Sequence, residues 1–373
     1  MNHIYLDYNA STPIAPAVLE EMMPYLTTKY GNPSSSHSFG VECRAGIEQA
    51  RERVANLLGC EASELIFTSG ATESNNMAIK GVAAAGKGRH FITSQIEHPA
   101  VLEPCRHLER FGYSITYLPV DRYGMVSPAD LEKAITPDTA LVTIMHSNNE
   151  VGTIQPIAEL ARIASSRGVL FHTDAAQSVG KVRCRVDELD VDFLTIAGHK
   201  FYAPKGIGAL YIKNDRKLPP MMHGAGHERG LRPGTENAAF IVGLGAASMI
   251  AMTLLETEGQ RQRALGQRLL EGLKHVGFKV HLNGHPEKKL PNTWNISFEG
   301  LSSLEVMEAL GRDIAVSPGA ACHGDLVEPS HVLAAMGTDI NIARGAIRFS
   351  FGRETTEAEI DQVVEKLKNV LKQ

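Results

Sequence analysis

Seven short runs rich in β-branched and aromatic residues punctuate the chain up to residue 212: residues 65–68, 91–94, 115–118, 141–145, 170–173, 193–196 and 209–212. Ahead of the first of them, over 46–58, and between later ones, as over 157–167, apolar residues recur at helical spacing. Strands alternating with helices predict an α/β fold built on a mostly parallel central sheet with helices on both faces. Ligands of such sheets bind at the carboxyl ends of the strands.

Beyond residue 255 the pattern changes. Residues 256–276 read as a long charged amphipathic helix. Apolar runs at 290–298 and 346–351, an apolar-poor loop over 317–329 and a closing helix over 357–371 come after it. This predicts a large domain over 15–255 and a smaller α+β domain made of 1–14 plus 256–373. A chain of 373 residues is long for one core and suits that division.

The formal net charge of −5 argues against a dedicated nucleic-acid or anionic-membrane binder. The most apolar stretch, 238–255, is interrupted by Gly243, Gly245, Ser248 and Thr253. A membrane span needs about 20 apolar residues, so it reads as a buried or subunit-interface helix. Residues 1–13 lack the pattern of a signal peptide. The five cysteines are odd in number, irregularly spaced and without a C-x-x-C, which predicts free thiols in a reducing, cytoplasmic setting. Cys43, Cys60, Cys105 and Cys184 read as small, partly buried residues.

Two strand ends carry the strongest chemical signal. The run ending at Ile196 leads into Ala197-Gly198-His199-Lys200, and the run ending at Thr173 leads into Asp174-Ala175-Ala176-Gln177. Pyridoxal phosphate needs such a pair: a lysine amine captures its aldehyde, and a carboxylate keeps its pyridine nitrogen protonated. The segment 67–76 passes from strand to helix through Ser69-Gly70-Ala71-Thr72, where free N–H groups suit a phosphate, although Thr72 also suits a plain helix cap. His98 comes after another strand and suits ring stacking and proton movement; it suits a structural hydrogen bond equally well. Asn149 and Gln177 lie past strand ends, as polar partners of a ligand or as loop caps.

Ser317-Pro318-Gly319-Ala320-Ala321-Cys322-His323 holds a cysteine in small-residue surroundings poorly suited to a core. An adjacent protonated His would lower the thiol pKa. No matching ligand pairs accompany Cys322 and His323, so a metal is not expected. Arg348, within an apolar strand, suits either a bidentate grip on a carboxylate or a structural ion pair.

Together these residues resemble the cysteine desulfurases of the nitrogenase-maturation and housekeeping iron–sulfur type, and the closely related selenocysteine lyases. The resemblance runs through Tyr5-Leu6-Asp7-Tyr8-Asn9-Ala10-Ser11-Thr12, Gly31-Asn32-Pro33, residues 68–76, Glu97-His98, Asn148-Asn149-Glu150, residues 172–177, Gly198-His199-Lys200, residues 226–237, Ala321-Cys322 and Ile347-Arg348-Phe349-Ser350. It implies a fold-type I, class V aminotransferase-like enzyme, a homodimer with its sites at the subunit interface. Lys200 would hold the cofactor and move the substrate α-proton. Asp174 would pair with the pyridine nitrogen, Gln177 with the phenolic oxygen, and His98 would stack on the ring. Ala71, Thr72 and His199 would hold the phosphate, with Thr235 arriving from the partner subunit. Asn149 and Arg348 would bind the substrate carboxylate. Cys322 would take sulfur from L-cysteine as a persulfide, release alanine and pass the sulfur to a protein acceptor for iron–sulfur clusters or other thio-cofactors.

His323 departs from the small hydroxyl residue usual in housekeeping desulfurases and puts the chalcogen in question. It sits beside Cys322 where the substrate would lie, and it keeps L-selenocysteine as the alternative substrate. A pyridoxal-phosphate aminotransferase would share Lys200 and Asp174 without needing Cys322, and a sulfur-carrying scaffold would need no cofactor.

Overall fold

A computed structural model describes residues 3–323 and 326–369, with backbone alone for 320–323 and 326–328. A short strand, β1 (Ile4–Tyr5), comes first. Each of the seven β-prone runs then forms a strand of one sheet: β2 (Leu65–Thr68), β3 (His90–Ser94), β4 (Ser114–Leu118), β5 (Thr139–Thr143), β6 (Leu170–Asp174), β7 (Phe193–Ala197) and β8 (Gly208–Ile212). Their order is β2-β8-β7-β6-β5-β3-β4. Only β8 runs against its neighbours; the pairings among β3 to β7 are parallel.

Successive residues of these strands enter two different apolar layers, as side chains alternating across a sheet must. Ile66, Phe91, Leu141, Phe193 and Leu210 pack on one side with Met77, Ile79 and Val82 of α3 (Ala71–Ala84) and Val101 and Leu108 of α4 (Pro99–Glu109). Phe67, Ile92, Val142, Leu194 and Tyr211 pack on the other with α1 (Pro16–Thr27), α2 (Ser38–Leu58), α6 (Ile157–Ser166) and α8 (Ala238–His275). The remaining helices of this part are α5 (Pro128–Ala134) and α7 (Val186–Leu189). Burial on both faces is why these runs read as nearly continuous apolar stretches.

A second, antiparallel sheet has the order β12-β15-β10-β9. Its strands are β9 (Val280–Asn283), β10 (Thr293–Phe298), β12 (Ser317–Pro318) and β15 (Ala346–Ser350). Between them β11 (Ile314–Ala315) pairs with β1, and β13 (Ala320–His323) and β14 (Leu326–Pro329) form a hairpin. The expected irregular loop over 317–329 is therefore strand and hairpin. Its strands are seen in the backbone pairing, Ser317 with Arg348 and Ala320 with Pro329, which leaves no helical or alternating apolar pattern in the sequence. Leu265, Leu269 and Leu273 of α8 cover this sheet together with Ile4, Leu6 and the helix Glu357–Lys368.

The two helical patterns expected over 238–255 and 256–276 form the single α8 of 38 residues. Asn237 caps it by accepting the Phe240 N–H at 3.2 Å, and no proline interrupts it. Its apolar first half lies in the larger core through Leu244, Ala247 and Ala251. Its charged second half carries the chain to the second sheet.

Two glycines of α8 test this packing with opposite signs. A Cβ at Gly266 would overlap the Trp294 indole, whereas one at Gly259 meets only Pro291, at 3.9 Å. Gly266→Ala should lower stability by about 1–3 kcal/mol through overpacking. Gly259→Ala should raise it by up to about 1 kcal/mol through helix propensity. Urea denaturation midpoints of the two variants decide the matter, and equal shifts would contradict the assigned packing.

Candidate functional site

Five strand-to-loop transitions open at the same edge of the large sheet. Beyond β2 lie Gly70, Ala71 and Thr72; beyond β3, His98; beyond β5, Asn149; beyond β6, Asp174 and Gln177; beyond β7, His199 and Lys200. All of these line one cavity of about 460 Å³, together with Ala10, Ser11, Met145 and Ser147. The parallel topology brings them together, since every contributing strand points its carboxyl end the same way.

At one end stands the first turn of α3. Its N-cap is Gly70, at φ 149° and ψ 178°, and no side chain caps the helix. Space beside the Gly70 Cα is open, so the amides beyond it face the cavity without obstruction. Thr72 is thus not the helix cap, which removes the plainer of its two expected roles. The uncapped N–H groups of a 14-residue helix favour an anion. His199 lies near the same end, with Nδ1 3.3 Å from Ser11 Oγ. Burial and the charges of Lys200, Lys205 and Lys181 push its pKa down to about 4, so the ring is neutral.

At the other end Asp174 is 7% exposed. Its Oδ2 accepts Asn75 Nδ2 at 2.6 Å and its Oδ1 accepts the Ala176 N–H at 2.9 Å. Both oxygens are thereby oriented, and a cationic N–H is the group such a carboxylate would hold. Lys200 lines the same cavity from the short turn after β7. Its Nζ donates to Asn9 O at 2.7 Å and Ala10 O at 3.0 Å. Burial, then the nearby Arg348 guanidinium, lower its pKa to about 8, only partly offset by Asp174 and Asp7. About a tenth of the amine is therefore unprotonated at pH 7, far more than for an ordinary lysine, and the free amine is the nucleophile toward an aldehyde.

His98 caps α4: its Nδ1 accepts the Ala100 N–H at 3.0 Å. Burial lowers its pKa, with Asp174 opposing and Lys200 reinforcing the shift. A neutral ring that accepts at Nδ1 carries its proton on Nε2. Gln177 is held between Asn9 O, to which its Nε2 donates at 2.9 Å, and Lys181 Nζ, which donates to its Oε1 at 2.7 Å. Asn149 reaches the cavity, while its backbone carbonyl accepts Arg348 Nη1 at 3.0 Å.

Arg348 is not a free guanidinium. Its Nη2 donates to Asp7 Oδ1 at 2.7 Å and Ser317 Oγ at 2.8 Å, while its buried Nε has no partner among the described residues. Both readings of this residue thus have support: an ion pair exists, and donor capacity remains. Thr235 is exposed and does not line the cavity. The side chains of Cys322 and His323 lie outside the described residues. The root of their hairpin is described: Gly319 N–H donates to Ala346 O at 2.8 Å, and His331 Nε2 donates to Glu97 O at 3.0 Å. Burial raises the pKa of Cys43 and pushes Cys60, Cys105 and Cys184 up to about 12, so these four thiols are poor nucleophiles.

Sequence reasoning missed Asn9, Asn75, Lys181 and Glu97. Glu97 is fully buried and accepts from Ser94 Oγ at 2.6 Å and Met145 N at 2.9 Å, bracing the loop before His98. Burial pushes its pKa up to about 8. Asn9 and Glu97 stand inside motifs whose only signal is the family resemblance, and Asn75 lies within the run that suits phosphate; Lys181 carries no signal.

A family model, "Aminotransferase class-V", matches residues 4–363. A "Cysteine desulfurase IscS" of Dictyoglomus turgidum is 49% identical over 373 residues, covering 99% of this chain and 94% of that protein. Among solved structures, a "NifS-like protein" superimposes with a TM-score of 0.93 at 41% identity over 99% of both chains. Another, "SspA in complex with cysteine", gives 0.82 at 40% identity over 93% of this chain and 98% of that one. Seven strands of one sheet, a shared cavity at their carboxyl ends and near-complete alignment lead to one conclusion: the chain belongs to the class-V aminotransferase family and, within it, to the cysteine desulfurases.

Proposed function

We propose that the chain is a pyridoxal-phosphate-dependent cysteine desulfurase that converts L-cysteine to L-alanine and retains the sulfur on Cys322. The observation that carries this reading is the cavity itself. A partly unprotonated lysine shares the cavity lining with an oriented carboxylate and an uncapped helix N-terminus. These are the three groups that an aldehyde, a pyridinium and a phosphate on one ring would meet. The names of the relatives favour cysteine over selenocysteine as substrate.

When bound, pyridoxal phosphate supplies an aldehyde for amine capture and an electron sink for negative charge at the substrate Cα. Ala71, Thr72 and His199 hold its phosphate, joined by Thr235 of a second copy. Asp174, oriented by Asn75 and Ala176, keeps the ring nitrogen protonated. Gln177 bonds the phenolic oxygen and His98 covers the ring face. Lys200 would hold the cofactor through its aldehyde, and its amine, once free, would be the base for the substrate α-proton. Asn149 and the remaining donors of Arg348 orient the substrate carboxylate. The Cys322 thiolate, with His323 beside it, attacks the substrate sulfur. An S–S bond forms as the Cβ–S bond breaks, and the electron pair stays on the carbon side, which is protonated to alanine. The hairpin tip then carries the persulfide to a protein acceptor.

A homodimer accounts for Thr235 and for the apolar side chains that the adjoining α1, α2 and α8 expose: Leu19, Met23, Leu26, Phe39, Val41, Met249 and Met252. The same reading makes the protein cytoplasmic and divides it into a cofactor domain over 15–255 and a smaller one of 1–14 plus 256–373, with α8 crossing between them.

Lys200→Ala should lose both turnover and the absorbance of lysine-bound cofactor; retention of either contradicts its role. Cys322→Ala should bind cofactor normally yet release no sulfide from L-cysteine. Continued selenide release from L-selenocysteine by that variant would instead mark a selenocysteine lyase. Uptake of pyridoxal phosphate by the apo-protein should depend on the free Lys200 amine. Its rate should climb about tenfold per pH unit below the lysine pKa and level off above it. With that pKa at about 8, stopped-flow absorbance should show the break there; a rate independent of pH across it would contradict the assignment.

A further inference from the structure

Lys181 is a buried lysine that the reaction does not use. It closes two helical turns after β6: Ser178 and Val179 N–H donate to Ala175 O, and Lys181 and Val182 N–H donate to Ser178 O. Gln177 and Lys181, four residues apart, therefore share one face. Lys181 Nζ donates to Gln177 Oε1 at 2.7 Å and to Asn9 Oδ1 at 3.1 Å. Gln177 Nε2 donates to Asn9 O at 2.9 Å, which closes a ring of three residues. Among the described residues no carboxylate lies within ion-pair distance of Lys181. The charges nearest to it are the cations Lys200 and Arg348, and burial with these two lowers its pKa well below the ordinary lysine range. A lysine in that position is a fixed donor to two amide oxygens, not half of a salt bridge.

Gln177, which lines the cavity, takes its orientation from this ring. A primary amide presents an oxygen on one side and an NH2 on the other, and its partners set which way it points. The Asn9 carbonyl can only accept, so the Gln177 NH2 lies toward it, and Lys181 Nζ donates to the oxygen on the other side. One hydrogen of the NH2 goes to Asn9 O, and the other is left for whatever occupies the cavity. Without Lys181 the Gln177 oxygen loses its partner, and the single bond to the Asn9 carbonyl is left to hold the amide.

We propose that Lys181 is a positioning residue that locks the Gln177 amide with an N–H toward the cavity, so that Gln177 donates to the ligand oxygen it meets and does not accept from it. The proposal rests on the cofactor reading, in which that oxygen is the phenolic oxygen of pyridoxal phosphate. A donor there favours the ionised oxygen, and an amide oxygen in its place would repel it.

The test uses the full-length protein loaded with pyridoxal phosphate and two readouts besides turnover. One is the pH midpoint of the absorbance of lysine-bound cofactor. The other is the dissociation constant of pyridoxal phosphate from the apo-protein, by equilibrium dialysis. Lys181→Met keeps the stem and removes the donors. Loss of the oriented N–H makes the phenolic oxygen hold its proton more tightly, so the midpoint should rise by about one pH unit and the dissociation constant by about tenfold. Gln177→Ala should give similar changes, and the double variant should go no further than Gln177→Ala alone, because Lys181 acts through Gln177. Wild-type values in Lys181→Met, or additive effects in the double variant, would overturn the proposal. If Lys181→Met does not fold, Lys181→Arg decides, since it keeps donors toward both oxygens: its midpoint should lie at or below wild type, and a rise matching Gln177→Ala overturns the idea. Failure of the wild-type protein to take up pyridoxal phosphate would sink the cofactor reading and this proposal together. Normal uptake with unresponsive Lys181 variants would sink this proposal alone.

Discussion

One asparagine, through its side chain and its backbone, ties the two sheets together beside the cavity. Asn9 is 1% exposed, yet every polar atom it owns is engaged. Its N–H donates to Ser350 Oγ, and its carbonyl accepts from Lys200 and Gln177. Its Nδ2 donates to Asn149 O and Thr293 Oγ1, and its Oδ1 accepts from Lys181 and Asn292. Lys200, Gln177, Lys181 and Asn149 belong to loops of the parallel sheet. Asn292, Thr293 and Ser350 belong to the antiparallel one. A buried polar residue with all its partners in place specifies one arrangement, because any shift strands several donors at once. The N-terminal segment thus acts as a bolt between the two sheets at the point where the cavity opens.

A second junction links the carboxylate-binding candidate to the cysteine hairpin. β12 pairs with β15 so that Ser317 stands opposite Arg348. Ser317 Oγ also bonds Asp7 Oδ1 at 3.0 Å, the same oxygen that Arg348 holds. The hairpin β13–β14 begins just beyond β12, pinned at its root by Gly319, where a Cβ would come within 2.7 Å of Ala346 Cβ. The group that would grip the substrate and the segment that carries Cys322 are therefore neighbours along one sheet. The junction also reaches Lys200 electrostatically: Arg348 lowers its pKa, while Asp174 and Asp7 moderate the effect.

Much of this was legible in the residues. The seven β-prone runs all became strands of one sheet, because strands buried on both faces must be apolar at nearly every position and so stand out. Lys200, Asp174, His98, Gln177, Asn149 and Thr72 were found because each lies just past such a run, and a parallel sheet gathers the loops beyond its strands at one edge. The pairing of 320–323 with 326–329 was not legible, since these residues carry no alternating apolar pattern. Nor was the unity of α8, whose apolar and charged halves look like separate helices because each serves a different sheet. The pairing of Arg348 with Asp7 was also hidden. An arginine in an apolar strand needs a partner, but nothing local says which acid supplies it across the separation between residue 7 and residue 348.

The division comes from range. Local pattern is enough to determine the strands, the helices that cover them, and the order in which candidate catalytic side chains emerge at strand ends. It also determines the chemistry those side chains share, since a lysine and an aspartate after adjacent parallel strands must come close. What only the tertiary structure decided are the contacts without periodicity. These are the engagement of Asn9 from both sheets, the capture of Asp174 by Asn75, the donation of Lys181 to Gln177, and the lack of a side-chain cap on α3. Each depends on where two distant segments come to rest to within a few tenths of an ångström, and a hydrogen bond is lost beyond that tolerance. Burial patterns bring segments together; such short-range directional contacts then decide which proton or oxygen each one presents.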